Sequence, residues 1–427
     1  MLECLSSLLS QLFHLFLSKS TIIHKYIAEH KTPPIHIPTP IPNSKPNWLD
    51  LPSHLLYLIC DKLNTHDDLF RFGLVCVQWK SVLEENQKQV LLIQLPVLVV
   101  PTEDDIEKKM ERSVYSISEK RLYDNVKLSV PHHKSCCGSS HGWLVTVDPT
   151  AYSVCLLNPF LRQNNEIQLP PVSAFPKHVD DMPLEHFDYI RRIVLSSNPS
   201  RFSDYAAMAI YSSHARLAFC KAGDEAWTSI EVLGRAFSNI LYYKDLFYAV
   251  DYDGKIITID IHRHNGKPEI TSMLDIHCSP YDACYLVETS ATPSDEGHGE
   301  LLLIAKVMGF KQFGSQETYY TSSFKVFKLD QVDPFWVEMM TLDGQMLFIG
   351  HNSPVLVSAS DFPAGKPNCI YYTDDYVDGY HIEPSGTRDF GIFNLEDRSF
   401  EMLSPLDSDR IMPPPIWIQP TPPQQHG

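Results

Sequence analysis

Three places along this 427-residue chain carry residue types that could do chemistry. Gly138-Ser139-Ser140-His141-Gly142 fits G-x-S-x-G, the turn that presents a nucleophilic serine in hydrolases. That chemistry needs a strand before the serine and a helix after it. Here Trp143 to Val147 follows, a β-rich apolar run, so the glycines are expected to serve a turn at the entry to a strand. His132, His133, Cys136 and Cys137 have the composition of a metal site. Neighbours along a strand point to opposite faces, so neither doublet can aim both side chains at one ion, and zinc sites use separated pairs. His262 and His264 are read the same way, as ordinary histidines. No P-loop, kinase signature, H-E-x-x-H or dinucleotide fingerprint occurs. The expectation is no catalytic residue, no cofactor and no metal, although a pair of catalytic carboxylates is invisible without a fold.

The elements that must position any site are set by composition and order. A hydrophobic content of 44% and a charged content of 20% fit a soluble globular chain long enough for two or more domains. A net charge of -17 argues against a nucleic-acid footprint, which needs clustered Lys and Arg. The acidic runs Glu103-Asp104-Asp105, Asp180-Asp181 and Asp374-Asp375 read as solvated surface. The ten cysteines show no C-x-x-C pair or regular framework, and no unblocked N-x-S/T site occurs. Both point to a reducing compartment, nucleus and/or cytoplasm.

Residues 1–32 form a leader containing LSSLLSQLFHLFL, a stretch too short to span a bilayer and lacking the basic start of a signal peptide. It reads as a loosely ordered leader or an amphipathic helix, with no membrane span. Residues 33–46 hold six prolines and read as a semi-rigid extended spacer. The next stretch, Trp48 to Leu83, has helical periodicity in three short pieces. Leu51-Pro52 opens the first, where a proline's missing N–H costs nothing. Leu55, Leu56, Ile59 and Leu63 then share one face. Thr65 and Asp68 resemble a capping box, with Leu69, Phe72 and Cys76 apolar behind it, and Trp79, Val82 and Leu83 continue into a third helix. A unit this small cannot bury all of these side chains alone.

That pattern resembles an F-box: Trp48, Leu51-Pro52, Leu55, Ile59, Leu63, Asp67, Leu69, Arg71, Phe72, Val75-Cys76 and Trp79 fill the marker positions over residues 47–90. The resemblance implies docking onto a Skp-type adaptor and, through it, a cullin. It assigns adaptor contact to Leu51, Pro52, Leu55, Ile59 and Val75, and helix organisation to Leu63, Leu69, Phe72, Cys76 and Trp79.

Residues 91–125 are read as a connector, with a β-like run from Leu91 to Val100. From 126 to 418 short β-rich runs alternate with turn residues. Asp253-Gly254 between Leu246–Tyr252 and Lys255–Ile261 is a tight-hairpin signal. CKAGDEAWTSIEVL (220–233) aligns without gaps on LDQVDPFWVEMMTL (329–342), matching Asp224 to Asp333, Trp227 to Trp336 and Leu233 to Leu342. Such repetition predicts a β-propeller of about six blades, with a pair of β-sandwiches as the alternative. Cys137-Gly138-Ser139-Ser140-His141-Gly142-Trp143-Leu144, Leu157-Asn158-Pro159, Ser358-Ala359-Ser360-Asp361-Phe362-Pro363 and Asn368-Cys369-Ile370-Tyr371-Tyr372 resemble the kelch-like propeller of a large group of plant F-box proteins. The Gly-Gly pairs of standard kelch motifs are missing. Residues 419–427 read as a disordered tail.

The fold class expected is α+β and multidomain: a small all-α F-box followed by a large all-β propeller. The function implied by the two resemblances is a non-catalytic receptor, the propeller holding an unknown protein for ubiquitination. The alternatives are a scaffold or sequestering protein without a degradation target, and an enzyme with its site in the propeller channel. Partner-binding loops are expected at 173–189, 288–300, 309–321 and 373–388.

Overall fold

The structure is a computed structural model and describes residues 51–60, 72, 75–76, 78–79, 81–82, 96–100, 112–117, 121–128, 130–131, 133–161, 164–177, 189–262, 269–274, 283–289, 299–313, 316–329, 335–362, 365–376, 389–403 and 415–419. Contacts divide the chain into two compact units, Met1–Leu55 and Leu56–Gly427. In the first, Leu55 N–H donates to the Pro52 carbonyl at 2.9 Å. Pro52 therefore caps the start of helix α1 (Ser53–Cys60) instead of lying inside it. In the second, Leu56 and Cys60 are buried one helical turn apart. Phe72 packs on Trp79 with ring centroids 4.6 Å apart, and both are buried.

The β-region is a six-bladed propeller. Strands β1 (Val97–Val100), β2 (Arg112–Ser116) and β3 (Arg121–Leu128) begin the first blade. The stretch expected as a connector, 91–125, thus supplies propeller strands, and the first blade starts at Val97 and not at 126. Blade 2 is β4 (Ser135–Ser140), β5 (Trp143–Val147), β6 (Val154–Leu157) and β7 (Glu166–Leu169). Blade 3 is β8 (Ile190–Leu195), β9 (Ala206–Tyr211), β10 (Arg216–Lys221) and β11 (Thr228–Ile230). Blade 4 is β12 (Phe237–Tyr243), β13 (Leu246–Asp251), β14 (Ile256–Asp260) and β15 (Glu269–Leu274). Blade 5 is β16 (Ala283–Glu288), β17 (Leu301–Phe313), β18 (Gln316–Leu329) and β19 (Trp336–Met339). Blade 6 has β20 (Gln345–Ile349), β21 (Val355–Ser358), β22 (Cys369–Tyr372), β23 (Gly391–Asn394) and β24 (Phe400–Met402) in the order β21-β20-β22-β23-β24. Within it β20 and β22 run parallel. Finally β25 (Ile416–Ile418) returns to pair with β1, Leu98 opposite Trp417, and completes blade 1.

The inner edge strands β25, β4, β8, β12, β16 and β21 meet in that order from blade to blade. Strand alternation sends odd and even residues to different neighbours. On β16, Cys284 and Leu286 join the core between blades 4 and 5, while Tyr285 and Val287 join the core between blades 5 and 6. Six such clusters separate the six blades. The two halves of the internal repeat sit at one equivalent place: Trp227 leads into β11 and Trp336 opens β19, the outermost strands of blades 3 and 5. Trp227 is buried, stacked on Phe175 at 4.5 Å. Trp336 is only half-buried, so the repeat is one of position more than of packing.

The G-x-S-x-G segment is a β4–β5 hairpin. His141 and Gly142 take φ of 53° and 81°, the two positive values that a tight hairpin turn requires. No helix follows. The Ser139 hydroxyl donates to the Trp417 carbonyl at 2.6 Å, tying blade 2 to the closing strand.

Candidate functional site

A lattice of buried charge fills the middle of the ring. Its members come from blades 3, 5 and 6: Arg192 on β8, Tyr285 on β16, Lys306 on β17, Tyr319 and Thr321 on β18, and the two segments that follow β20 and β22. On β17, Leu302 and Ile304 face blade 6. Lys306 continues that alternation and meets blade 6 carboxylates: its Nζ lies 3.2 Å from Asp375 and 3.2 Å from Asp389. Tyr285 donates its hydroxyl to Asp375 at 2.8 Å. Tyr319 donates to Asp374 at 2.9 Å. Thr321 gives both its N–H and its hydroxyl to Asp389 at 2.7 Å.

Arg192 holds the other half. Its guanidinium donates to the carbonyls of Gly350, at 2.8 Å, His351, at 3.2 Å, and Asn352, and lies 3.5 Å from Asp375. Ser353 N–H reaches across to the Ser139 carbonyl of blade 2 at 2.8 Å. Residues 350–353 of blade 6 therefore cross to blades 2 and 3 and plug the middle of the ring. Close approach makes Gly350 necessary: a Cβ there would lie 2.0 Å from the Thr373 hydroxyl oxygen. Gly350→Ala should lower the melting temperature, and Thr373→Ala in the same chain should restore part of it. A thermal melt of the parent and the two variants checks this. An unchanged single variant would show that the plug yields freely.

Isolated charges this deep would be prohibitive, and pairing is what makes them tolerable. Burial alone would depress Lys306, but Asp389 and Asp375 outweigh it and hold the ammonium well above its ordinary range. Burial likewise opposes ionisation of Asp375, but Lys306, His351 and Arg192 keep it below the usual carboxylate range. At Asp374 burial dominates, only partly offset by Lys306 and by hydrogen bonds from Tyr319 and the Tyr376 N–H, and pushes it up to about 8. Arg192 and Lys306 then face the Asp375 and Asp389 carboxylates two against two, with Asp374 protonated at neutral pH. Burial drives His351 down to about 4, so its ring is neutral there as well.

The sign of the pH effect follows. Asp374 keeps its proton in the folded state up to about pH 8, whereas its unfolded value is 3.8. Its contribution is fully present below the unfolded value and is lost as pH rises towards 8. Asp374→Asn, which cannot ionise, should therefore gain stability relative to the parent between pH 5 and pH 8. Melting temperatures at the two values test it. Parallel curves would show that Asp374 is ionised throughout.

Asp374 and Asp375, expected as solvated surface, are instead the centre of this lattice. Two signals were present in the sequence. Lys306 interrupts the apolar run LLLIAKVM, and the acid pair follows the apolar strand CIYY after a single threonine. The first-named candidates lie elsewhere. Cys136 and Cys137 are buried free thiols, and Cys137 donates to the Val145 carbonyl. His133 is half-exposed beside Asp148 at 3.5 Å, His262 is exposed, and His132 and His264 fall outside the described residues. Among the described residues no group of three His, Cys, Asp or Glu could hold a metal ion. No described helix is long and apolar enough to cross a membrane.

In the helical region Pro52 is exposed, and Leu51, Leu55, Ile59, Val75 and Cys76 are half-buried. Phe72 and Trp79 are enclosed. Leu63 and Leu69 lie outside the described residues, as do the leader, the proline-rich spacer and most of the last nine residues. Of the expected partner loops, the described residues of 309–321 (309–313 and 316–321) belong to the β17–β18 ladder instead of a loop. The others are described only at 173–177 and 189, 288–289 and 299–300, and 373–376.

Comparison with known proteins agrees with this geometry. The family profile described as KIB1-4 beta-propeller matches residues 114–394, and the F-box domain profile matches residues 48–88. The F-box protein SKIP23 of Arabidopsis thaliana is 25% identical over 87% of this chain and 95% of its own length. Putative F-box protein At5g55150 is 24% identical over 88% of this chain and 97% of its own, and F-box protein At2g17036 is 24% identical over 87% and 95%, both from the same plant. The crystal structure of BBS1N in complex with ARL6DN aligns over 57% of this chain and 74% of that one at 10% identity. Its TM-score of 0.30 is too low to argue from.

Proposed function

This chain belongs to the KIB1-4 β-propeller family, and from that premise we propose that it is the substrate receptor of a Skp–cullin–F-box ubiquitin ligase. An F-box followed by a propeller has the general make-up of a substrate-recognition subunit, and the related F-box proteins point to a non-catalytic role. The observation that carries the reading is the F-box match at 48–88 in a chain whose remaining described residues build one propeller.

In this reading Leu51, Pro52, Leu55, Ile59 and Val75 contact a Skp-type adaptor, each retaining solvent-accessible surface for it. Phe72 and Trp79 hold the helices, together with Leu63, Leu69 and Cys76. The adaptor joins the chain to a cullin, and the propeller captures a target protein. The acceleration is one of proximity: a charged conjugating enzyme is held near the captured lysine, raising its effective concentration. The propeller supplies no bond-making step, and the plugged ring supports this. The complex works in the nucleus and/or cytoplasm, a placement supported by the free thiols of all eight described cysteines.

The purified chain and a Skp-type adaptor should co-elute as one complex from size exclusion at micromolar concentration. A chain that elutes alone under those conditions would remove the reading.

A further inference from the structure

Exposed apolar side chains scattered singly over a surface need no explanation, but a gathering of them does. Among the described residues, five of the ten large apolar side chains that face solvent lie on or beside β19 and β24, the outermost strands of blades 5 and 6. Met402 is 74% exposed, Met340 56%, Phe335 53%, Phe400 45% and Val337 44%. Aromatic residues and methionine are the types enriched at the centre of protein interfaces, and methionine adapts to irregular partner surfaces.

The two strands flank the outer end of one seam. Phe400 packs on Phe393 at 4.8 Å, and Phe393 belongs to the core between blades 5 and 6. Met339 packs against the same core from β19. Strand alternation puts Val337 on the Met339 side of β19 and Met402 on the Phe400 side of β24. Arg398, in the turn before β24, bridges the seam. Its guanidinium donates to the Phe324 carbonyl at 2.8 Å and lies 3.6 Å from the Met340 sulfur, which sets the start of β24 beside the end of β19. Blades spread as they radiate from the axis, so this seam opens outward as a trough with apolar side chains on both banks.

One end of the trough is acidic. Asn368 accepts from the Leu342 and Gly344 N–H groups at 3.1 and 2.9 Å and donates to Glu396 at 3.0 Å, so the turn after β19 and the turn before β24 lie side by side. These turns carry Asp343, Glu396 and Asp397, all exposed, and Glu338 on β19 lies 3.9 Å from Arg398. Four carboxylates stand there against the single guanidinium of Arg398. Farther along β24, Lys366 and Glu401 form an ion pair with each other and add no net charge. A second copy of this chain, related by a two-fold axis, would bring the same acids face to face, and its net charge of -17 adds to the repulsion. The complementary occupant is a basic one.

We propose that the propeller holds its target on this outer seam: a basic amphipathic helix of the partner protein lays its apolar stripe over Val337, Met340, Phe400 and Met402 and brings Lys or Arg to the Asp343–Glu396–Asp397 end. This rests on the receptor reading and names the chemistry of the target. A trough with apolar banks takes the convex apolar stripe of a helix. Burial of that stripe provides affinity, and the acidic end selects partner and orientation. Capture from the side leaves the plugged centre of the ring uninvolved.

The test uses the intact chain and three synthetic peptides of about 18 residues, five helical turns. The first has Leu and Phe on one face and Lys on the other. The second replaces each Lys with Glu. The third keeps the composition of the first but breaks the apolar stripe. Fluorescence anisotropy should show the first binding about tenfold tighter than either of the others. Met340→Gln combined with Met402→Gln should weaken it about tenfold while leaving the melting temperature unchanged, because both side chains face solvent. Glu396→Gln combined with Asp397→Asn should narrow the preference for Lys over Glu. Equal binding of the first and third peptides, or binding untouched by the methionine pair, would show charge attraction alone and overturn the proposal. A preference for the Glu peptide, or one for Lys that survives the Glu396 and Asp397 changes in full, would also overturn it. So would a dimer in sedimentation velocity that the methionine pair dissolves, since the occupant would then be a second copy. A chain that selects the first peptide yet ignores a Skp-type adaptor would instead overturn the receptor reading and leave this surface standing. Adaptor binding without peptide selection would do the reverse.

Discussion

Replacing Lys306 with alanine should destabilise the propeller by about 3–5 kcal/mol, because it strands two enclosed carboxylates without their common cation. At about 2 °C per kcal/mol for a domain of this size, the melting temperature should drop by about 6–10 °C. Lys306 is 1% exposed and bridges Asp375 to Asp389. Arg192 and Tyr285 still reach Asp375 in the variant, so most of the loss falls on Asp389, left with the Thr321 donors. Lys306→Met keeps the aliphatic bulk and should lose nearly as much. Adding Asp389→Asn should then return part of the loss, since an amide oxygen can still accept from Thr321. Scanning calorimetry at one fixed rate reads all three. A shift under 1 °C for the alanine variant would mean that the charges are not enclosed together.

The second large effect is on binding. Leu55→Ala combined with Ile59→Ala should weaken adaptor capture about a hundredfold, at about 1–1.5 kcal/mol for each truncated contact. The two lie one helical turn apart on α1 and are only half-buried in the free chain. Their loss should therefore leave circular dichroism and the melting curve nearly unchanged. Truncating Phe72 or Trp79 should instead damage the helices themselves, since both are enclosed and packed on each other. Titration calorimetry against a purified Skp-type adaptor separates the two outcomes. Capture of the double variant at parental affinity would refute the assignment of this helix.

The comparison of residues with coordinates is instructive in its unevenness. Local rules read well. Asp253-Gly254 turns β13 into β14, with Gly254 at a φ of 78°. Repetition in the β-region pointed to a propeller of about six blades, and six sheets are present. What could not be read was pairing at a distance. Val97–Val100 looks like one short apolar run, yet one of its two edges pairs with Ile416–Ile418, more than 300 residues on, and that partner completes its blade. Asp375 meets a lysine 69 residues earlier and an arginine 183 residues earlier. An acid pair on its own looks like surface. A lone lysine inside LLLIAKVM is the better clue, because a cation in a doubly buried strand must find an anion.

The clasp between β25 and β1 has a consequence for how the molecule is made. Blade 1 cannot be finished until residue 418 has been synthesised, whereas the described helical residues, up to Val82, exist some 330 residues earlier. At about 5–20 residues per second that is an interval of roughly 15–70 s. During it the F-box segment is already outside the ribosome while β1 waits for its mate. Under the proposed receptor role, a nascent chain would meet its ligase before it owns a receptor, and an early stop codon ahead of Ile416 would yield a subunit that occupies a cullin and delivers nothing.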